Sequence, residues 1–238
     1  MVEGAGRDEA HRLTVVMPVF NERETVRAAA ERLLKTNLQV PVELIVVDDG
    51  SADGSAEQIA DLAADGSLSL IRLERNRGKG AAVRTGLARA TGTIATVLDA
   101  DLEYDPANYR DLLTPLLDGD ASVVYGTREF GAHTAYSFWY VLGNKALGFW
   151  ASFLFNTWLS DVETCFKMTS TETWRSLGLR SRGFGIEAEA TAKLLRSGHR
   201  IYEVPIHYRA RTREEGKKLS WTDGVEALWI LLRVRLGG

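Results

Sequence analysis

The 238-residue chain predicts an α/β fold, a single domain whose mostly parallel, doubly wound central sheet is flanked by helices. Three observations predict it. Short apolar, β-rich runs alternate with segments of helical periodicity through the first half. Those runs are nearly continuous in apolar character, as strands covered on both faces require. Acidic or glycine-rich turns stand at their carboxyl ends, where open α/β sheets bind ligands.

Leu13 to Phe20 reads as the first strand, and Asn21 to Leu34 as a helix with Val26, Ala29, Ala30, Leu33 and Leu34 on one face. Val42 to Val47 is a second strand stopping at Asp48-Asp49-Gly50-Ser51, and Ser55 to Ala64 is the helix after it. Leu68 to Leu73 is a third strand, and after it a helix over Gly78 to Ala90 begins in a glycine-rich turn. Thr93 to Leu98 is a fourth strand ending at Asp99-Ala100-Asp101, Pro106 to Leu117 a helix, and Ala121 to Tyr125 a fifth strand. The second half is less regular. Ser137 to Trp158 is an aromatic helix, Glu187 to Ser197 another helix, and Arg200 to Tyr208 an extended segment broken by Pro205. Ser220 to Arg235 reads as an amphipathic helix with Val225, Leu228, Trp229 and Leu232 in register, and Ser220 with Asp223 resembles a capping box. No linker divides the chain.

Composition narrows the function classes. Hydrophobic residues at 45% and charged residues at 26% are ordinary for a globular domain. A net charge of -3 and the absence of a recognisable module argue against nucleic-acid binding. The single cysteine, Cys165, permits no internal disulfide and fits a reducing compartment. Residues 1–12 carry no apolar leader, and Asn144, Lys145 and Asn156 interrupt the longest apolar stretch, Phe138 to Leu159. The expectation is a cytoplasmic protein, peripheral at most at the inner face of a membrane.

The residues with chemical potential lie just past the strand ends: Asn21-Glu22, Asp48-Asp49, Asp99 through Glu103, and Gly126-Thr127-Arg128. Asp99 and Asp101 are two residues apart in an extended segment, so both carboxylates point the same way. Such a pair repels unless a cation lies between its members or one is protonated, and a hard ion such as Mg²⁺ or Mn²⁺ suits it. Taken alone, either aspartate could simply cap the next helix; their place after a buried strand, with Asp48 and Asp49 after another, favours the metal. Asp48 or Asp49 can accept hydrogen bonds from a base or ribose, although aspartates and glycine also make turns. Gly78-Lys79-Gly80 lacks the spacing of a dinucleotide fingerprint and reads as a tight turn allowing close helix packing, with Arg75, Arg77 or Lys79 near phosphate. The basic segment Arg209, Arg211, Arg213, Lys217 and Lys218 is either a solvated loop or a clamp over phosphates.

In order along the chain, five motifs resemble those of the family 2 glycosyltransferases with the GT-A fold: Pro18-Val19-Phe20-Asn21-Glu22, Asp48-Asp49-Gly50-Ser51, Asn76-Arg77-Gly78-Lys79-Gly80, Asp99-Ala100-Asp101 and Gly126-Thr127-Arg128. Within that family the resemblance is to the polyprenol-phosphate enzymes related to dolichol-phosphate mannose synthase. Thr164-Cys165-Phe166-Lys167 and the run Arg211 to Lys218 carry it into the second half, so that it spans Val15 to about Arg235. The resemblance implies a nucleotide-binding half over about 13–128 and an acceptor half over about 129–238. It places Pro18, Phe20, Glu22, Val47 and Asp49 on the nucleoside with Asp48 nearby, and Lys79, Asp99 and Ala100 on the donor. Asp99, Asp101 and Glu103 would hold Mg²⁺ or Mn²⁺. Arg128, Arg211, Arg213 and Lys217, with Asp101, would carry catalysis by meeting donor or acceptor phosphates. The chain departs from the pattern at Glu103, where relatives often have glutamine, and at Phe20, where tyrosine is common. It also carries no C-terminal transmembrane pair.

The resemblance implies inverting transfer of a hexose, mannose or glucose, from a GDP- or UDP-sugar to a polyprenyl phosphate. An ionised acceptor phosphate attacks without a protein base. The aromatic run from Phe138 to Trp158 suits contact with a lipid surface, a core helix or a homo-oligomer contact. An alternative acceptor is a hydroxyl compound, which requires a general base; Glu187 or Glu189 after Gly183-Phe184-Gly185 could supply it. A third reading is a non-catalytic nucleotide-sugar-binding protein, against which the intact Asp99 and Asp101 pair argues.

Overall fold

The computed structural model describes residues 11–128, 138–210 and 221–237; for Phe138, Trp139, Tyr140 and Trp221 it describes the backbone alone. Seven strands form one sheet: β1 (Leu13–Val19), β2 (Val42–Asp48), β3 (Ser69–Arg72), β4 (Ile94–Val97), β5 (Val123–Thr127), β6 (Lys167–Ser170) and β7 (Ile201–Pro205). Their spatial order is β3-β2-β1-β4-β6-β5-β7, parallel except for β6, which runs antiparallel between β4 and β5. The helices are α1 (Val26–Lys35), α2 (Ala60–Ala64), α3 (Lys79–Arg89), α4 (Tyr109–Leu117), α5 (Phe138–Phe155), α6 (Thr171–Ser176), α7 (Ile186–Arg196) and α8 (Trp221–Leu236). Short 3₁₀ turns at Glu57–Ile59 and Pro106–Asn108 lead into α2 and α4.

Each strand predicted from an apolar run is present. β1, β4 and β5 are buried almost throughout, which is why they read as continuous hydrophobic runs. Two apolar layers cover the sheet. One contains Val16, Val47, Val97 and Tyr125 with parts of α3, α5, α7 and α8. The other contains Val15, Met17, Val46 and Phe166 with α1 and α4. Pro205 ends β7 at the sheet edge, where a missing N–H breaks no ladder.

Two expectations are corrected and two elements were missed. The first helix starts at Val26, not Asn21, because Asn21 to Arg23 is tied to the next loop: their backbone N–H groups donate to Ser51 Oγ, Ser55 Oγ and Asp53 Oδ2 at 2.8–3.0 Å. β6 and α6 were not predicted. β6 is four residues long and begins with Lys167, a charged residue that is only 1% exposed. On α8 the buried stripe is Ala227, Ile230, Leu231 and Val234, whereas Val225, Leu228 and Trp229 face outward. Both sets have helical spacing, and the pattern alone did not distinguish the core face from the outer one. The proposed cap at Ser220 lies outside the described residues.

Candidate donor site

The carboxyl ends of β1, β2 and β4 and the loops after them border a cavity of about 450 Å³, within the range of small-ligand sites. Pro18, Phe20, Glu22, Asp49, Asn76, Lys79, Asp99, Ala100, Asp101, Arg128, Glu163, Phe184, Glu187 and Tyr208 are among the residues that line it. The reversal of strand order at β1, between β2 and β4, opens this crevice.

Most residues predicted from sequence come together here, but Val47 and Asp48 do not line the cavity. Val47 is fully buried in the core. Asp48 ends β2, and its Oδ1 accepts from Ser51 N at 3.0 Å. Asp49 does line it, and also accepts from the Arg77 and Gly78 N–H groups at 2.8 and 2.7 Å. It thereby shapes the turn entering α3. Gly78 at that turn has φ +94°, and a Cβ there would lie 2.4 Å from the Arg182 carbonyl oxygen. The close packing expected of this glycine-rich turn is therefore real, and Lys79 is its cation on the cavity wall.

The Lys79 ammonium is 2.8 Å from Asp99 and 3.3 Å from Glu187. Lys167, from β6, reaches Glu187 at 2.8 Å and also donates to the Val162 carbonyl at 2.9 Å and to the Thr164 carbonyl. Burial works to lower the Lys79 pKa, but Asp99 and Glu187 outweigh it and hold the ammonium well above its ordinary range. Burial works to raise the Glu187 pKa, and the two lysines outweigh it downward. Glu187 is thus a fixed anion between two cations. Glu189, the other base proposed from sequence, is absent from the cavity lining. It caps a neighbouring loop by accepting from Arg180 N and Ser181 N.

Asp101 Oδ1 accepts from Glu103 N at 3.1 Å across Leu102, whose φ of +63° is left-handed and strained for a branched side chain. Tyr208 OH donates to Glu103 Oε2, and Arg209 N donates to Glu103 O at 2.9 Å. Among the described residues no group of three His, Cys, Asp or Glu side chains could hold a metal ion unaided. Of the three carboxylates expected at the metal, Asp99 is paired with Lys79 and Glu103 accepts from Tyr208. The hard oxygens of Asp99 and Asp101 fit a Mg²⁺-type ion, which takes one or two carboxylates and completes its shell with phosphates and water.

Arg128, also on the cavity lining, forms a bidentate pair with buried Asp161, at 2.6 and 2.7 Å, and stacks over the Tyr208 ring at 5.1 Å. Burial works to raise the Asp161 pKa, and Arg128 brings it below its ordinary range. Asp161 and Glu163, three and one residues before the Thr164-Cys165-Phe166-Lys167 motif, were missed from sequence. An acid in an irregular loop carries no periodic signal. Arg211, Arg213 and Lys217 lie outside the described residues.

Residues 14–173 match the model of the family described as Glycosyl transferase family 2. The undecaprenyl-phosphate 4-deoxy-4-formamido-L-arabinose transferase of Pectobacterium carotovorum subsp. carotovorum (strain PC1) is 40% identical over 103 residues, covering 42% of this chain and 32% of that protein. The enzyme of that name from Proteus mirabilis (strain HI4320) is 36% identical over 126 residues, 51% of this chain and 38% of its own length. The chain thus spans about a third of the length of these relatives. Among solved structures, glucosyl-3-phosphoglycerate synthase from Mycobacterium tuberculosis, in complex with Mn²⁺, UDP and glucosyl-3-phosphoglycerate, superposes with a TM-score of 0.71 at 21% identity, covering 94% of this chain and 80% of that one. That likeness concerns the fold. The chain belongs to glycosyl transferase family 2 and has the GT-A fold.

Proposed function

We propose that the protein transfers a hexose-type sugar, with inversion, from a nucleoside-diphosphate sugar to a polyprenyl phosphate. The observation that carries this reading is that one cavity is lined both by the Asp99 and Asp101 carboxylates, suited to a metal-bound diphosphate, and by the Arg128 guanidinium, suited to an acceptor phosphate. The relatives named as undecaprenyl-phosphate sugar transferases support the acceptor class, and neighbours solved with UDP and Mn²⁺ support a uridine donor and a divalent ion.

Asp101, with Asp99 beside it, would hold Mg²⁺ or Mn²⁺, which neutralises the departing diphosphate. Pro18, Phe20 and Asp49 orient the nucleoside end. Arg128, held in place by Asp161, directs an anionic acceptor towards the anomeric carbon. The acceptor phosphate brings its own charge, so attack needs no protein base. In the geometry seen here Glu187 is poorly suited as one, being held by Lys79 and Lys167. Replacing Glu187 by glutamine should lower stability by about 3 kcal/mol, since two buried ammonium groups lose their shared anion. Thermal denaturation checks this; unchanged stability and donor affinity with collapsed turnover would restore Glu187 as a base.

A hydroxyl acceptor is the second reading, because Glu163 lines the cavity with a carboxyl oxygen that has no partner among the described residues. The discriminating assay combines labelled UDP- and GDP-hexoses, Mn²⁺ or Mg²⁺, and a short-chain polyprenyl phosphate. A lipid-extractable, acid-labile product supports the proposal; donor hydrolysis without it moves the acceptor to a hydroxyl compound.

A lipid acceptor requires access to a membrane surface, and α5 and α8 offer a face for it. The two helices pack together, with Trp150 Nε1 donating to the Leu228 carbonyl at 3.3 Å. On α5, Phe149 and Phe153 are each 69% exposed, and on α8 Trp229 is 62% exposed. No helix among the described residues is long and apolar enough to cross a membrane. These side chains would enter only the interface. Phe149→Ser with Phe153→Ser should weaken binding to floated anionic liposomes by about a hundredfold, what losing two buried aromatics at roughly 1.5 kcal/mol each implies. Unchanged flotation would leave this face to an oligomer contact.

A further inference from the structure

Glu163 stands out among the acids of the cavity. Asp49 holds a turn, Asp99 and Glu187 hold lysines, and Glu103 receives the Tyr208 hydroxyl. Glu163 Oε1, by contrast, is buried and has no hydrogen-bond partner among the described residues. A buried acceptor left unsatisfied costs stability, and in a native structure it signals a missing partner.

The backbone around Glu163 is held firmly. Lys167 Nζ donates to the carbonyls on both sides of it, Val162 at 2.9 Å and Thr164. Two residues earlier, Asp161 is locked in its pair with Arg128. A clamped backbone presenting a carboxyl to a cavity is what a preorganised ligand contact requires.

Position identifies the ligand group. Contacts link Glu163 to Asp99: Lys167 Nζ, which holds the carbonyls on either side of Glu163, reaches Glu187 at 2.8 Å, and Glu187 meets the Lys79 ammonium that pairs with Asp99, so a donor whose diphosphate lay at Asp99 and Asp101 would bring its sugar into the same cavity as Glu163. Resting on the donor-site reading above, we propose that Glu163 reads a hydroxyl of the transferred sugar and so sets which sugar the enzyme accepts. Sugar hydroxyls both donate and accept, and a carboxyl answers in either protonation state. Burial pushes the Glu163 carboxyl up to about 7, with Lys167 and Arg128 opposing and Glu187 and Asp161 reinforcing. Both states are therefore present near neutral pH. Discrimination by one such contact is strong, because a sugar lacking the matching hydroxyl leaves the carboxyl unsatisfied again.

Calorimetric binding in Mn²⁺ without acceptor tests this, using UDP and GDP against UDP-glucose, UDP-galactose and GDP-mannose. For whichever base binds, Glu163→Ala should weaken the nucleotide sugar at least tenfold while the bare diphosphate changes less than twofold. Glu163→Gln, which keeps the shape and a hydrogen-bonding group, should lose less affinity and alter the ranking of epimeric sugars. The proposal is overturned if both variants bind the sugar nucleotides as wild type does, or if diphosphate and sugar nucleotide weaken together, which would make Glu163 structural. It is also overturned if Glu163→Gln binds normally but loses turnover and its pH dependence, which would make Glu163 a general base. A wild-type protein that binds neither diphosphate nor sugar nucleotide would overturn the donor-site reading itself, and this proposal with it.

Discussion

Replacing Asp101 by asparagine should lower transfer by about a thousandfold or more while leaving the fold intact. The charge at a departing diphosphate is the largest electrostatic change in the proposed reaction, and removing one preorganised stabiliser typically costs two to three orders of magnitude in rate. Asp101 lines the cavity beside Asp99, which already carries the Lys79 ion pair. Its hydrogen bond from Glu103 N to Oδ1 is one an asparagine carbonyl can also accept. The substitution therefore removes charge and keeps shape. The expected signature is a melting temperature within a few degrees of wild type, with no upward shift when Mn²⁺ and UDP are added together. Turnover within tenfold of wild type would show that Asp101 does not hold the ion.

Replacing Asp161 by asparagine should have the largest effect on stability, about 3–5 kcal/mol, because it leaves the Arg128 guanidinium without its buried counter-charge. In a domain of this size that corresponds to a fall of roughly 10 °C in melting temperature. The pair also has a pH signature. The Asp161 pKa is depressed in the folded state, so its contribution is complete above the ordinary aspartate value near 4. It is lost as pH falls through the lower folded value. Wild type should therefore lose more stability than the variant on acidification below about pH 4. Replacing both partners by apolar residues, Arg128→Met with Asp161→Leu, should recover much of the stability and none of the transfer activity. Full activity in that double variant would remove Arg128 from the acceptor site.

The architecture was legible in the sequence because buried parallel strands leave a strong local trace. The apolar runs at Val15, Ile45, Ala95 and Val123 each became a strand, and the acidic turns after β2 and β4 fell at the expected edge. The order of motifs was sufficient to identify the family. Conformation settled choices that pattern left open. Periodicity on α8 pointed to Val225, Leu228, Trp229 and Leu232, whereas packing against α5 and α7 buries Ala227, Ile230, Leu231 and Val234.

The amino-acid sequence by itself determined the fold class, the strand ends that carry chemistry and the pair Asp99 and Asp101, because these rest on local periodicity and on the rule that crevices form at carboxyl ends of strands. Only the tertiary structure decided how the charges divide. Antiparallel β6 brings Lys167 to Glu187, α3 places Lys79 between Glu187 and Asp99, and Tyr208 donates to Glu103. Each of these contacts joins residues at least 20 positions apart in sequence. A charge's role depends on which opposite charges share its low-dielectric surroundings. For the same reason Glu163, one carboxylate among many in the sequence, acquired its distinct place in the cavity only when the chain had folded around it.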